Sequence, residues 1–303
     1  MPCFSKRAVQ NTQLSLLSPA KVNLFFHILH PREDGFHEIA SLYQAIDLFD
    51  GLQVELASQD TFTCSDPLLP MNESNLVVKA LQLFRTKTGN RQPVRIHLEK
   101  KIPMQAGLGG GSSNAATALW AFSKLLLTED NRVVEEGELR NWAAMLGSDV
   151  PFFLSSGLAY CTGRGEVLQA VAPLTRPEFS SFWIAKPRED GLPTPVVYQT
   201  YRRERGADCI RLGNPQDTLA SFYTGQPLFY NDLEIAAFAL LPSLKTIRDQ
   251  LKNMVGFSTV LMSGSGTAFF CLGPVQAPEL SAVSFFSVKP CMRNEQGDWY
   301  EAQ

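Results

Sequence analysis

Apolar and polar positions alternate from residue 14 to residue 29, break at the polar turn PREDG, and resume in an extended run from Phe36 onward. That pattern predicts a two-stranded hairpin. Along PAKVNLFFH a period of two sets Ala20, Val22, Leu24 and Phe26 on one face and Lys21, Asn23, Phe25 and His27 on the other. Lys21 and Asn23 are then about 7 Å apart on one surface, and Phe25 beside them implies that this face is covered. MNESNLVVKALQLF places an Asn or Ser cap ahead of Leu76, Ala80, Leu83 and Phe84 at helical spacing, and VRIHL then alternates as a half-buried strand. Ala115, Leu119, Phe122 and Leu126 mark an amphipathic helix beginning near Ser112. A further helix runs to about Leu146, with Gly147 as a left-handed cap.

Downstream, GLAYCTGRGE and FWIAKP predict short strands, and TPVVYQTY a helix capped by Thr194 with Pro195 in its first turn. Residues 200–230 lose periodicity and collect turn formers, which predicts an irregular connection of unassigned role. A long helix from Asn231 to about Met254 and a strand pair around MSGSGTAFFCL follow. Strands and helices mix without strict βαβ alternation and without repeats, so the class is α+β. The 303 residues exceed what one core usually organises, so two lobes are expected, residues 1–165 and 166–303.

Composition narrows the function. With 45% hydrophobic and 19% charged residues the chain is globular, and 27 basic against 30 acidic side chains lack the excess that a nucleic-acid binder shows. Six dispersed cysteines form no C-x-x-C pair, so neither a zinc site nor a disulfide framework is expected. No window approaches the ~18 apolar residues of a membrane span. These features predict a cytoplasmic protein without nucleic-acid or membrane partners; oligomeric state is left open.

The chemistry concentrates in KKIPMQAGLGGGSSNAATALWAF, where Gly107, Gly109, Gly110 and Gly111 lead from a strand into a helix. Glycines let the backbone approach a ligand, and the free N–H groups of a helix start attract anions, so a polyphosphate fits there. The Walker pattern lacks its lysine, and the dinucleotide fingerprint fails at Ser112. PMQAGLGGGSSNAA instead resembles the phosphate loop of the GHMP kinase superfamily. SPAKVNLFF, DGFHEIASLYQAIDLFD, LGSDVPFF, LPTPVVY and MSGSGTAFF follow the order of the branch whose acceptor is a cytidylylated methylerythritol.

The resemblance implies an ATP-dependent kinase with Mg²⁺, a two-lobed fold whose N-terminal lobe holds a left-handed βαβ unit, and a ferredoxin-like C-terminal lobe. It implies Asp149 as general base paired with Lys21, the ammonium favouring an ionised carboxylate that takes the proton as the phosphoryl group transfers. ATP would meet Pro103, Gly107, Leu108, Gly109, Gly110, Gly111, Ser112 and Ser113, with Asn75 and Lys100 near its base or ribose. The acceptor would meet Asn23, Phe36, His37, Thr194, Tyr198 and Gly264, with Phe36 and Tyr198 sandwiching a pyrimidine and His37 reading its edge. Phe36 stands where the family pattern has tyrosine. No residue is assigned as a metal ligand. A kinase for another small alcohol, and a sensor that kept the scaffold without turnover, remain as alternatives; the presence of both Lys21 and Asp149 speaks against the second.

Overall fold

The first two alternating runs form the expected hairpin, β1 (Gln13–Pro31) antiparallel to β2 (His37–Leu56). The computed structural model describes residues 12–127, 134–205, 214–273, 276, 278–293 and 298–300. Within the hairpin the register slips between Asn23 and Phe25, so Leu24 bulges and the faces reverse beyond it. Lys21 and Asn23 lie opposite Ala45 and Tyr43, whereas Phe25 lies opposite Leu42. Phe25 is therefore not on the Lys21 face, correcting the period-two expectation.

Around the hairpin, one sheet runs β3-β4-β2-β5-β6, with β1 added on β2. β3 (Thr61–Cys64) and β4 (Val94–Glu99) are parallel and joined through α1 (Leu76–Thr88), which makes the βαβ unit. β5 (Leu158–Thr162) and β6 (Val167–Ala170) close the other edge. Helices α1, α2 (Gly110–Leu125) and α3 (Glu136–Leu146) pack on this sheet over a core that includes Phe84, Phe122, Trp142 and Phe152. A second, antiparallel sheet has the order β10-β7-β9-β8, from β7 (Phe182–Pro187), β8 (Thr259–Met262), β9 (Phe269–Leu272) and β10 (Val283–Val288). Counted within the lobe this is 4-1-3-2, the ferredoxin-like order. Helices α4 (Thr194–Arg205), α5 (Pro215–Thr224), α6 (Glu234–Leu240) and α7 (Pro242–Gln250) occupy its first crossover; between β9 and β10 the described residues hold no helix. The fold is thus α+β with two lobes.

Hairpin residues Ala20, Val22, Leu24 and Leu42 share a core with Phe182, Ile184, Leu261 and Phe270 of the second sheet. The lobes are welded by this common layer. The chain then returns to the first lobe, where Cys291, Trp299 and Tyr300 enter the core under α2 and Trp299 donates its indole N–H to the Leu17 carbonyl at 2.7 Å.

Three local expectations are corrected. Gly147 ends α3 at φ 174°, an extended conformation and not a left-handed cap. Residues 200–230 are not irregular throughout, since α4 runs into them and α5 lies within them, capped by Asn214 with Pro215 at its first position; residues 206–213 lie outside the described residues. The expected helix from Asn231 to Met254 is broken at Leu241 (φ −137°, ψ 84°), because Pro242 lacks a donor and forces its predecessor out of the helical region.

Candidate active site

The glycine stretch joins β4 to α2. Gly109 caps the helix at φ +70°, and the first i→i−4 bond runs from Ser113 N–H to the Gly109 carbonyl. The amides of Gly110, Gly111 and Ser112 consequently have no acceptor within the helix. Two glycines are required by contact as well as by φ. A Cβ on Gly107 would lie 1.9 Å from the Ser263 carbonyl oxygen, and one on Gly109 would lie 2.9 Å from Phe153 and 3.0 Å from Lys21 Cγ. The back of the loop is held by the second lobe: Ser263 Oγ donates to the Gly107 carbonyl at 3.0 Å and Ala268 N–H to that of Ala106 at 3.1 Å. Its front, Gly107 to Ser112, lines a cavity of about 860 Å³. Ser113 is fully buried and does not line it.

Lys21 and Asp149 line the same cavity, with Lys21 Nζ 3.5 Å from Asp149 Oδ2. Lys21 is 3% exposed and its ammonium is fixed by three neighbours. It donates to Asn23 Oδ1 at 2.6 Å, lies 4.5 Å above the Tyr43 ring, and meets Asp149. Asn23, itself fully buried, donates to Ser41 Oγ at 2.9 Å. It does not line the cavity and stands behind Lys21, whose ammonium it accepts from. Tyr43 donates its hydroxyl to Asp149 Oδ1 at 3.1 Å; burial, and then the charge of Asp149, push its pKa well up, so it stays a donor. Asp149 follows α3 and is partly exposed. A carboxylate held by an ammonium and a phenol, beside a row of free amides, can take a proton from a hydroxyl while a phosphoryl group is held close by.

On the side of β4 and α1, Lys100, Pro103 and Asn75 all line the cavity. Asn75 is committed to structure: its Oδ1 caps α1 by accepting from Val77 N–H at 2.9 Å, and its Nδ2 donates to the Pro70 carbonyl. Lys100 forms an ion pair with Asp50, which has no exposed surface. Asp50 also accepts from the amides of Lys101 and Ile102 at 2.7 and 2.8 Å and from Asn114 Nδ2 at 2.9 Å. One carboxylate thereby ties β2, the loop after β4 and the start of α2 together.

Phe36, His37, Thr194, Tyr198 and Gly264 also line the cavity. Phe36 is 51% exposed beneath the Arg164 guanidinium, 5.0 Å from its ring centroid. Tyr198 stacks on His37. Thr194 spends its hydroxyl on Ser265 at 2.8 Å instead of capping α4. Gly264 sits in the turn between β8 and β9, held by Asn231 Nδ2 donating to the carbonyls of Met262 and Gly264. Arg202 also lines the cavity and donates its Nε–H to His37 Nε2 at 3.2 Å, and the sequence reading does not pick out Tyr43, Asp50, Asn231, Ser263 or Arg202. Only Arg202 carried a signal, four residues beyond Tyr198 on the same helix face.

Residues 75–157 match the model of the GHMP kinases N terminal domain. The chain is 47% identical over 268 residues to the 4-diphosphocytidyl-2-C-methyl-D-erythritol kinase of Protochlamydia amoebophila, spanning 88% of this chain and 86% of that one. It is 39% identical to the chloroplastic enzyme of that name from Arabidopsis thaliana, over 96% of this chain and 77% of the other. Among solved structures, a 4-(cytidine 5'-diphospho)-2C-methyl-D-erythritol kinase aligns with a TM-score of 0.68 at 37% identity, over 86% of this chain and 91% of that one. Homoserine kinase from Cytophaga hutchinsonii, at 18% identity over 97% and 99% of the two chains and a TM-score of 0.68, shares the fold.

Proposed function

Because the chain belongs to the 4-diphosphocytidyl-2-C-methyl-D-erythritol kinase family of GHMP kinases, we propose that it transfers the γ-phosphoryl group of ATP to the 2-hydroxyl of that diphosphocytidyl polyol, a step of isoprenoid synthesis. The observation that carries the reading is the Lys21–Asp149 pair in the same cavity as the free amides of Gly110 to Ser112.

In this reading the amides of the α2 start hold the phosphates and Lys100 lies near the base or ribose, while Lys21 stabilises charge on the transferring group. Asp149 Oδ2 orients the hydroxyl and accepts its proton as the new oxygen–phosphorus bond forms. The bond to the β,γ-bridging oxygen breaks and ADP leaves. Asn23 and Tyr43 act indirectly, by fixing the Lys21 ammonium and the Asp149 carboxylate. Phe36, His37 and Tyr198 meet the cytosine. Mg²⁺, when bound with the nucleotide, neutralises phosphate charge. Among the described residues no group of three His, Cys, Asp or Glu could hold a metal, and Ser112 is the one hydroxyl of the loop that lines the cavity; this sparse set suits an ion that keeps phosphate oxygens and water as ligands.

The same reading keeps residues 1–165 as the nucleotide-binding lobe and 166–303 as the second, interlocked where β6 joins β5 and where the tail re-enters the first core. No helix among the described residues is long and apolar enough to cross a membrane, and Cys64, Cys161, Cys271 and Cys291 are free thiols, which supports the cytoplasm as its compartment. The test is incubation with ATP and the cytidylylated methylerythritol, with phosphorus NMR of the product. A new 2-phosphate is expected; ATP binding without it sinks the assignment. Asp149→Asn should lose turnover by roughly 10²–10⁴-fold while ATP affinity holds.

A further inference from the structure

Tyr198, Tyr201 and Arg202 stand at i, i+3 and i+4 of α4 and so share one face of the helix. All three meet one side chain, His37 at the start of β2. Tyr198 stacks on the imidazole with centroids 5.4 Å apart at 29°, and Tyr201 meets it edge-on at 6.1 Å and 86°. Arg202 donates its Nε–H to His37 Nε2 at 3.2 Å and an Nη2–H to the Gly35 carbonyl, so two bonds fix the guanidinium.

A guanidinium nitrogen only donates. His37 Nε2 must therefore accept, which leaves it unprotonated and puts the proton of the neutral ring on Nδ1. Burial first, and then the charge of Arg202, lower the His37 pKa, so the neutral ring persists. Nδ1 has no hydrogen-bond partner among the described residues, and His37 lines the cavity.

We propose that Arg202 is the positioning residue for base selectivity: by locking His37 in the Nδ1–H form it obliges the ring to donate, favouring cytosine, whose N3 accepts, over uracil, whose N3 carries a proton. O2 accepts in both bases and does not discriminate. The proposal rests on the reading that His37 meets the acceptor's base.

The tautomer can be read without substrate. The chain has four histidines, and a His37→Gln variant assigns the His37 signals in long-range ¹H–¹⁵N spectra of the full-length protein. At neutral pH, Nε2 should show the shift of an unprotonated nitrogen and Nδ1 that of a protonated one, and Arg202→Met should shift the pattern toward Nε2–H. In kinetics with cytidine and uridine diphosphate esters of methylerythritol, Arg202→Met should raise KM for the cytidine ester roughly tenfold, and narrow its preference over the uridine ester by a similar factor. kcat and the KM for ATP should change little, and Arg202→Lys, which keeps a donor, should recover part of the loss. Wild-type His37 protonated on Nε2, or charged, overturns the lock. The expected tautomer with unchanged base preference in Arg202→Met overturns the selectivity. If the spectra are as expected but His37→Gln leaves the cytidine KM unaltered, the placement of the base against His37 fails while the hold of Arg202 on the ring stands.

Discussion

Replacing Gly109 by alanine probes how closely the glycine loop approaches Lys21. The residue sits at φ +70°, and a Cβ there would lie 2.9 Å from Phe153 Cζ and 3.0 Å from Lys21 Cγ. A left-handed backbone costs an alanine about 1–2 kcal/mol. Overfilling a packed site adds about 1–3 kcal/mol. The sum, about 2–5 kcal/mol, is a large share of the roughly 5–15 kcal/mol that a folded protein holds. Gly111 is the control. It lies in the first turn of α2 outside the left-handed region, and the nearest atom to its Cβ would be Leu76 Cδ1 at 3.8 Å. Alanine is the better helix former by up to about 1 kcal/mol, so Gly111→Ala should hold or raise stability. Urea unfolding of the two variants against wild type reads the difference directly. Steady-state kinetics should show kcat falling in Gly109→Ala, because the Lys21 stem must move to admit the methyl group. Equal midpoints for the two variants, or a wild-type midpoint for Gly109→Ala, would refute the packing of loop against lysine.

Three further outcomes follow from the same contacts. Asp50→Asn removes the charge paired with Lys100 in a buried pair, so it should cost about 3–5 kcal/mol in denaturant melts and raise the KM for ATP, and Lys100→Met added to it should recover much of the stability. His37 titrates below its ordinary 6.5 because of burial and then Arg202; a depressed folded value means that the unfolded chain binds the proton first, so stability should be level above that pH and fall as the pH drops below it. Urea midpoints measured across pH ~5 to ~7.5 check the sign, and His37→Gln should flatten the profile. Trp299→Ala should cost about 3–5 kcal/mol in thermal melts, since the ring is 4% exposed and anchors the tail to Leu17; a melt like wild type would place the tail off the core.

What the sequence made legible was what repeats or punctuates over a short span. The hairpin, α1, β4 and α2 declare themselves by periodicity and by the Asn75 cap, and the glycine run declares the helix start. Asn214 and Pro215 carried an equally good start signal for α5, and Pro242 a good stop signal inside the expected long helix. The short strands β3 and β6, of four residues each, offer too little alternation to stand out. Asp50 was out of reach for another reason. Nothing local to AIDLFDGL distinguishes a carboxylate that meets partners 50 to 64 residues away from one on the surface. The Leu24 bulge is likewise invisible in PAKVNLFFH, because only the pairing with β2 shows that one residue is extra.

The Arg202–His37 contact belongs to a wider arrangement in which both halves of the site straddle the seam between the lobes. The glycine loop is in the first lobe, yet the surface that shapes its back is the Ser263 turn of the second, against which only a residue without Cβ fits at Gly107. Ser263 Oγ also meets Asn23 N–H at 3.4 Å, two residues from Lys21. On the far side of the cavity the hairpin supplies Gly35, Phe36 and His37, while α4 of the second lobe supplies Tyr198 and Arg202. A hinge that parted the sheets would undo both sides at once, and the apolar layer shared by β1, β2, β7 and β9 opposes such a hinge. Access to the cavity is therefore better served by side chains at its rim, such as the half-exposed Phe36 under Arg164, than by separation of the lobes.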